Sequence, residues 1–336
     1  MATNSVHSLA FHRGLGTPTA SASPTPYTKY LDAQTIEYYS KIAYAKPNFA
    51  VVANGADHGE FSKWVNEFFD DVPAQASEQS SVGSEQTKYV GGEERVAHDG
   101  GNAMVIAFPG SSSFTGKFYK PEIAVLGSLL GGQSAVKWSS GFTILGNAAA
   151  PGTKVTTTSA IYSDAGLLYT TITGSAKGVA ETAKAAVEAI KKIAAGEISS
   201  EQISKAKAAA KFKELEHGQD IRAGLELTGN GLIHNTKAYQ IDEVAKAIDG
   251  VSEEVLKSVS QHHFYELAGS VLIEFHRLRS NYSRPGPQYL RSVISLCSHT
   301  LRRLASRCKY SLVRSGFDGN LIRPGACVTL SCDSPR

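Results

Sequence analysis

The side chains of this 336-residue chain that stand at chemically suggestive spacings do not complete a site. His263-Phe264-Tyr265-Glu266 opens like an H-x-x-E-H sequence, in which two imidazoles bind zinc and the glutamate activates a water molecule. Leu267 stands where the second histidine belongs. One imidazole and one carboxylate cannot make a three-ligand catalytic zinc centre, so this stretch reads as ordinary helix or strand surface. In His58-Gly59-Glu60 the two groups lie too close along the chain to share a helix face productively. The four cysteines, Cys297, Cys308, Cys327 and Cys332, are separated by 10, 18 and 4 residues. Only the last pair approaches zinc-ligand spacing, and without a second tight pair the cysteines read as incidental. Gly100-Gly101 and Gly131-Gly132 lack the G-x-x-x-x-G-K pattern of a phosphate loop. Nothing has the ligand spacing of haem or an iron–sulfur cluster. The reading is therefore no catalytic residue, no metal ligand, no cofactor-binding residue and no cofactor.

The elements that would have to position any site are more informative. Ser199-x-x-Gln202 has the form of a capping box and opens a helix, which runs through Ala- and Lys-rich sequence to a stop at Gly218. Further helices start near Asp220, near Ile241 and after Val251-Ser252. Val179, Ala183, Ala186, Val187, Ile190 and Ile193 line one face of another helix that stops at Gly196. Pro121–Leu130 reads as a helix, and Ala103–Phe108 and Leu167–Thr173 read as strands. Nearer the start, Asp32–Lys41 and His58–Phe69 read as helices. In the second of these, Phe61, Trp64, Val65, Phe68 and Phe69 share one face. Between them Phe49–Ala53 reads as a buried strand ended by Asn54-Gly55. Strands alternating with long helix pairs predict a layered α+β fold.

Composition divides the chain. Hydrophobic residues at 42% and charged residues at 19% fit a soluble globular class, and no run approaches the roughly 18 apolar residues a membrane-spanning helix needs. Residues 277–336 carry eleven basic and two acidic side chains, leaving the first 276 with 23 basic and 29 acidic. All four cysteines lie in that last segment, and the cysteine-free body fits a reducing compartment. The basic cluster Arg302-Arg303, Arg307 and Lys309 has only Tyr310 as a neighbouring aromatic. Without interleaved rings it does not read as a nucleic-acid site, so no nucleic-acid partner is expected. The expected organisation is a part-domain at 1–72, a linker at 73–92 that includes the polar stretch Pro73–Lys88, a domain at 93–276 and a basic tail at 277–336. A short internal echo, Leu31–Glu37 against Ile248–Val255, suits two copies of one domain.

Several segments together resemble one family. They are Ala10-Phe11-His12-Arg13-Gly14-Leu15-Gly16-Thr17-Pro18, Asn54-Gly55-Ala56-Asp57-His58, Leu126-Gly127-Ser128-Leu129-Leu130-Gly131-Gly132, Tyr162-Ser163-Asp164-Ala165-Gly166-Leu167 and Ile203-Ser204-Lys205-Ala206-Lys207. Their order across roughly residues 8–260 is similar to that in pitrilysin-type metallopeptidase domains. That family holds the mitochondrial processing peptidase and the core proteins of ubiquinol–cytochrome c reductase. The resemblance implies duplicated α+β domains, of which 1–72 is the C-terminal part of the first. It implies that the first half of that domain, where the zinc motif of the active members sits, is missing. The stretch Gly131–Gly141 is too short and glycine-poor to match the presequence-handling loop of the peptidase's regulatory subunit. The resemblance then favours a non-catalytic core subunit of respiratory complex III. Its implied partners are the other core protein and the cytochrome b module. Its implied place is the matrix side of the mitochondrial inner membrane, with membrane association through partner subunits alone. The rival is a presequence-binding subunit of the processing peptidase, or a fragment of an active zinc peptidase. The likeness fades after about Ser258 and is gone after His276, and the tail reads as translated non-coding sequence.

Overall fold

The structure is a computed structural model and describes residues 2–18, 32–74, 86–97, 100–134, 141–235, 237–261 and 271–276. Its centre is a five-stranded mixed sheet of β1 (Glu93–Ala97), β2 (Asn102–Pro109), β3 (Lys154–Ile161), β4 (Gly166–Gly174) and β5 (Val271–His276). The spatial order is β1-β5-β2-β4-β3. Only the β1–β5 pair is parallel; β2 runs antiparallel to both β5 and β4, and β4 to β3.

Side chains alternate across a strand, and β2 buries both sets. Met104, Ile106 and Phe108 enter one core, while Val105 and Ala107 enter another on the opposite face. In β4, Leu168 and Ile172 follow the first set and Leu167 the second. A strand buried on both faces reads as a continuous apolar run, as Ala103–Phe108 does.

The larger core is covered by α4 (Pro121–Leu130), α5 (Ile144–Ala148), α6 (Ala176–Ala194), α7 (Ser200–Gln219), α9 (Ile241–Asp249) and α10 (Glu253–Gln261), with α8 (Ile221–Asn235) packed against α7. Each helix opens and closes for local reasons. In α6 the Ser175 hydroxyl accepts the Gly178 amide, and just past its end Gly196 holds the positive φ of +80° that favours glycine. In α7 Ser199 and Gln202 form the expected capping box. That helix runs through Gly218 to Gln219, past the expected stop. The break falls at Asp220 instead, whose carboxylate accepts the Arg222 and Ala223 amides and so opens α8. The small residues Ala206 and Ala210 are buried, and α7 lies closely against α4 and α9. Lys207 Nζ then donates to the carbonyls of Asp249 (2.9 Å) and Val251 (2.8 Å), closing the end of α9.

The second face of the sheet is covered by α1 (Ala2–Phe11), which buries Val6, His7, Ala10 and Phe11. Further along lie α2 (Ala33–Ala43), capped by Asp32, and α3 (His58–Phe68), capped by Asp57. The expected strand at Phe49–Ala53 does not form. It follows a 3-10 turn at Lys46–Asn48 as extended, half-exposed chain. A lone segment gains no ladder bonds, and no other described strand lies beside it to pair with. The elements α1, α5, β1, β3 and β5 go beyond the sequence reading.

Where the chain leaves β2 and enters β4 it passes through a backbone-on-backbone contact. The Gly110 amide donates to the Gly166 carbonyl at 2.7 Å, and a Cβ on Gly166 would collide with the Ser111 backbone. Gly166→Ala should therefore destabilise the fold by about 2–4 kcal/mol in urea unfolding. Gly224→Ala, in the first turn of α8 with only ordinary contact at the added carbon, should gain about 0.5 kcal/mol.

Candidate functional site

Among the described residues the structure assembles no catalytic centre from the sequence candidates. His58 and Glu60 sit exposed in the first turn of α3. His58 Nε2 lies 3.5 Å from the Ser62 hydroxyl, and Asp57 caps the Glu60 amide at 3.0 Å. The His263–Glu266 stretch, the four cysteines and the Arg302–Lys309 cluster lie outside the described residues. Among the described residues no group of three or more His, Cys, Asp or Glu side chains is arranged to hold a metal ion. Gly131-Gly132 forms the junction between α4 and β3. The Gly131 amide and both carbonyls are committed there: Gly131 N–H to Gly127 O, Thr157 Oγ1 to Gly131 O, and Thr143 Oγ1 to Gly132 O at 2.7 Å.

Two other features stand out. The first is a cleft of about 640 Å³ beyond the end of β2, between the Ser111–Lys120 loop, the β3–β4 turn, α7, α8 and Tyr239. Phe114 anchors its aromatic wall, meeting Tyr119 and Tyr239 edge-on at centroid distances of 5.3 and 6.3 Å. The Lys237 ammonium lies 4.7 Å from the Phe114 ring centre and pairs with Glu243 at 2.7 Å. Glu214 of α7 is the carboxylate of the cleft. Burial pushes its pKa above the ordinary range, against a weaker pull downward from His217 and Lys213. Burial first, and the Glu214 charge second, push both the Tyr119 and the Tyr239 phenols up. The Tyr239 hydroxyl is buried with no hydrogen-bond partner among the described residues. Sequence inspection missed this cluster because its members lie on four separate elements and follow no spacing rule.

The second feature is an aromatic surface. Neither α2 nor α3 has a buried residue. The apolar face read at Phe61–Phe69 exists, but Trp64 is 50% exposed and Phe68 73%, stacked on each other at 5.8 Å. Tyr38, Tyr39 and Tyr44 of the preceding segment are more than half exposed as well. Single exposed apolar residues are unremarkable, whereas stacked exposed rings such as Trp64 and Phe68 are of the kind interaction surfaces use.

Residues 30–210 match the family model described as the peptidase M16 inactive domain, which is more than half of the chain. The chain belongs to the peptidase M16 family. The M16 match is to the inactive domain, so the matched region is a peptidase-like, non-catalytic one. Cytochrome b-c1 complex subunit 2 of Neurospora crassa is 42% identical over 263 residues, 78% of this chain and 57% of that protein. Its counterpart in Schizosaccharomyces pombe is 34% identical, over 62% of this chain and 47% of that protein. The mitochondrial-processing peptidase subunit alpha-2 of Dictyostelium discoideum is 24% identical over 76% of the chain. The chain thus spans about half the length of the curated relatives it matches. Among solved structures, a chain of complex III2 from Candida albicans shares the M16-like fold, with a TM-score of 0.64 over 81% of this chain at 16% identity; 65% of that chain is covered.

Two substitutions test the cleft. Tyr239→Phe removes an unsatisfied buried hydroxyl and should stabilise the fold by about 1 kcal/mol. A raised Glu214 pKa means that the folded state holds the proton more tightly than the unfolded one. The stabilisation from that proton is full below the unfolded value and is lost as pH rises through the folded value. Glu214→Gln should therefore leave the melting temperature unchanged near pH 4 and raise it above neutrality, flattening the thermal stability profile between those limits.

Proposed function

We propose that this chain serves as a non-catalytic core subunit, subunit 2, of ubiquinol–cytochrome c reductase in the mitochondrion. The observation that carries this reading is the 42% identity with the Neurospora crassa subunit across 78% of the chain. The role is assembly and mechanical support. The subunit pairs with the other core protein, packs on the cytochrome b module, and sits peripherally on the matrix side of the inner membrane. Two features of the chain support that role. No described helix is long and apolar enough to cross a membrane, so attachment runs through partners. The exposed rings of α2 and α3 offer the aromatic anchors that dominate subunit interfaces. Within this reading residues 1–72 are the C-terminal part of a first M16-type domain, 73–92 the linker, 93–276 the second domain, and 277–336 a basic tail outside it.

The 24% identity with a processing peptidase subunit favours a second reading, presequence binding beside a catalytic partner. Expression of the tagged chain in fungal mitochondria lacking their own subunit 2 separates the two, with mild-detergent extraction and native electrophoresis. The expected result is comigration with cytochrome b, reduced about tenfold by the pair Trp64→Ser and Phe68→Ser, hot-spot-type losses that leave the fold intact. Recovery with a zinc-dependent peptidase subunit, and none with cytochrome b, overturns the proposal.

A further inference from the structure

The cleft beyond the end of β2 takes no part in the function proposed above, yet three rings and a carboxylate converge on it. Tyr119 and Tyr239 stand nearly perpendicular to Phe114, at interplanar angles of 83° and 87°. The rings come from the loop after β2 and from the connection between α8 and α9, and α7 adds Glu214 to the same wall. Its carboxylate lies close enough for its charge to act on both phenols. Rings set at right angles form the cages that hold organic cations, because each ring face carries the negative part of its quadrupole. Phe114 already attracts one cation, the Lys237 ammonium at 4.7 Å. That lysine does not line the cleft, however, and its counter-charge is Glu243.

Two polar groups of the cleft are left over. Among the described residues Glu214 makes no hydrogen bond and no ion pair, and the Tyr239 hydroxyl is buried without a partner. A hydroxyl in that state costs the empty protein stability, which a ligand able to bond it would return. The cations nearest Glu214 do not fill the gap. Lys120, Lys213 and His217 are exposed at the rim, where water and salt screen them. Glu214 is only partly exposed, and its charge acts through a lower dielectric.

The kind of ligand follows from these groups. An anion would meet a carboxylate and ring faces of its own sign. A neutral molecule would strip water from Glu214 and give nothing back. An ammonium ion pairs with the carboxylate, lies against the rings and can donate a further proton to the Tyr239 oxygen. At about 640 Å³ the cleft has the size of a small-molecule site, and Leu15, Ile161 and Leu227 offer apolar wall to the rest of such a ligand. We propose that this cleft binds a small organic ammonium ion with an apolar body, held by Glu214, the Tyr239 hydroxyl and the rings of Phe114, Tyr119 and Tyr239. The proposal needs no partner chain and is independent of the assembly proposed above.

The test is calorimetric titration of the full-length chain at about pH 8, above the ordinary carboxylate range, with three probes of similar shape. They are 2-phenylethylammonium, its neutral counterpart 2-phenylethanol and the anion 3-phenylpropionate. The ammonium should bind about tenfold tighter than the alcohol, and Glu214→Gln should erase that preference while leaving the alcohol unchanged. Tyr239→Phe should weaken the ammonium about threefold even as it stabilises the empty protein, a split that a purely structural hydroxyl would not produce. Circular dichroism confirms that each variant is folded. Equal binding of ammonium and alcohol overturns the proposal, as does a preference that survives Glu214→Gln. Tighter binding of the anion also overturns it, because the rim lysines would then be the recognition site. So does the absence of binding by the ammonium up to about 10 mM.

Discussion

The structure depends on a sheet that is apolar on both faces. Consecutive residues of β2 go into different cores, so the strand has no wet side and the sheet needs cover above and below. On one side the cover is a continuous layer of helices pinned by capping side chains and by the Lys207 ammonium. On the other, among the described residues, it is the ten-residue α1 with Leu15 and Tyr89 beside it. Much of the irregular structure serves this demand. The glycine pair at the β2 and β4 ends lets two backbones touch, and the Thr143 and Thr157 hydroxyls hold the α4–β3 junction.

What could be read from the sequence follows from how local each signal is. The capping box at Ser199, the stripe from Val179 to Ile193 and the Pro121 start of α4 are complete within a few residues, and they were legible. The strand β3 was not, because half of its Lys154–Ile161 sequence is hydroxyl residues and its partner β4 fixes it. At Phe49–Ala53 the reverse held: a good strand sequence has no partner strand among the described residues. Gly218 misled for a related reason. A stop signal was present, yet Asp220 two residues later offered a better break by capping the next helix.

The candidate site was the least legible part. Glu214, Tyr119 and Tyr239 meet through space, from a helix, a loop and a connection, and no spacing rule links them. The empty motifs, by contrast, were read from residue types alone: Leu267 in place of a second histidine removes a metal ligand whatever the backbone does. An M16 domain of this kind keeps the architecture of a peptidase, and its helices α2 and α3 expose aromatic rings beside charged side chains.

The order of the sheet has a consequence for how the chain reaches its native state. In space β5 lies between β1 and β2, although among the described strands it is the last made and they are the first two. A nascent chain leaving the ribosome therefore presents β2 with one edge already paired to β4 and the other open. That edge stays open until Val271–His276 has emerged. Insertion of a final central strand is a non-local, late event, and such topologies fold slowly and expose unpaired edges while they wait. For this sheet the interval of greatest aggregation risk is set by synthesis itself, and it ends only when β5 slides between β1 and β2.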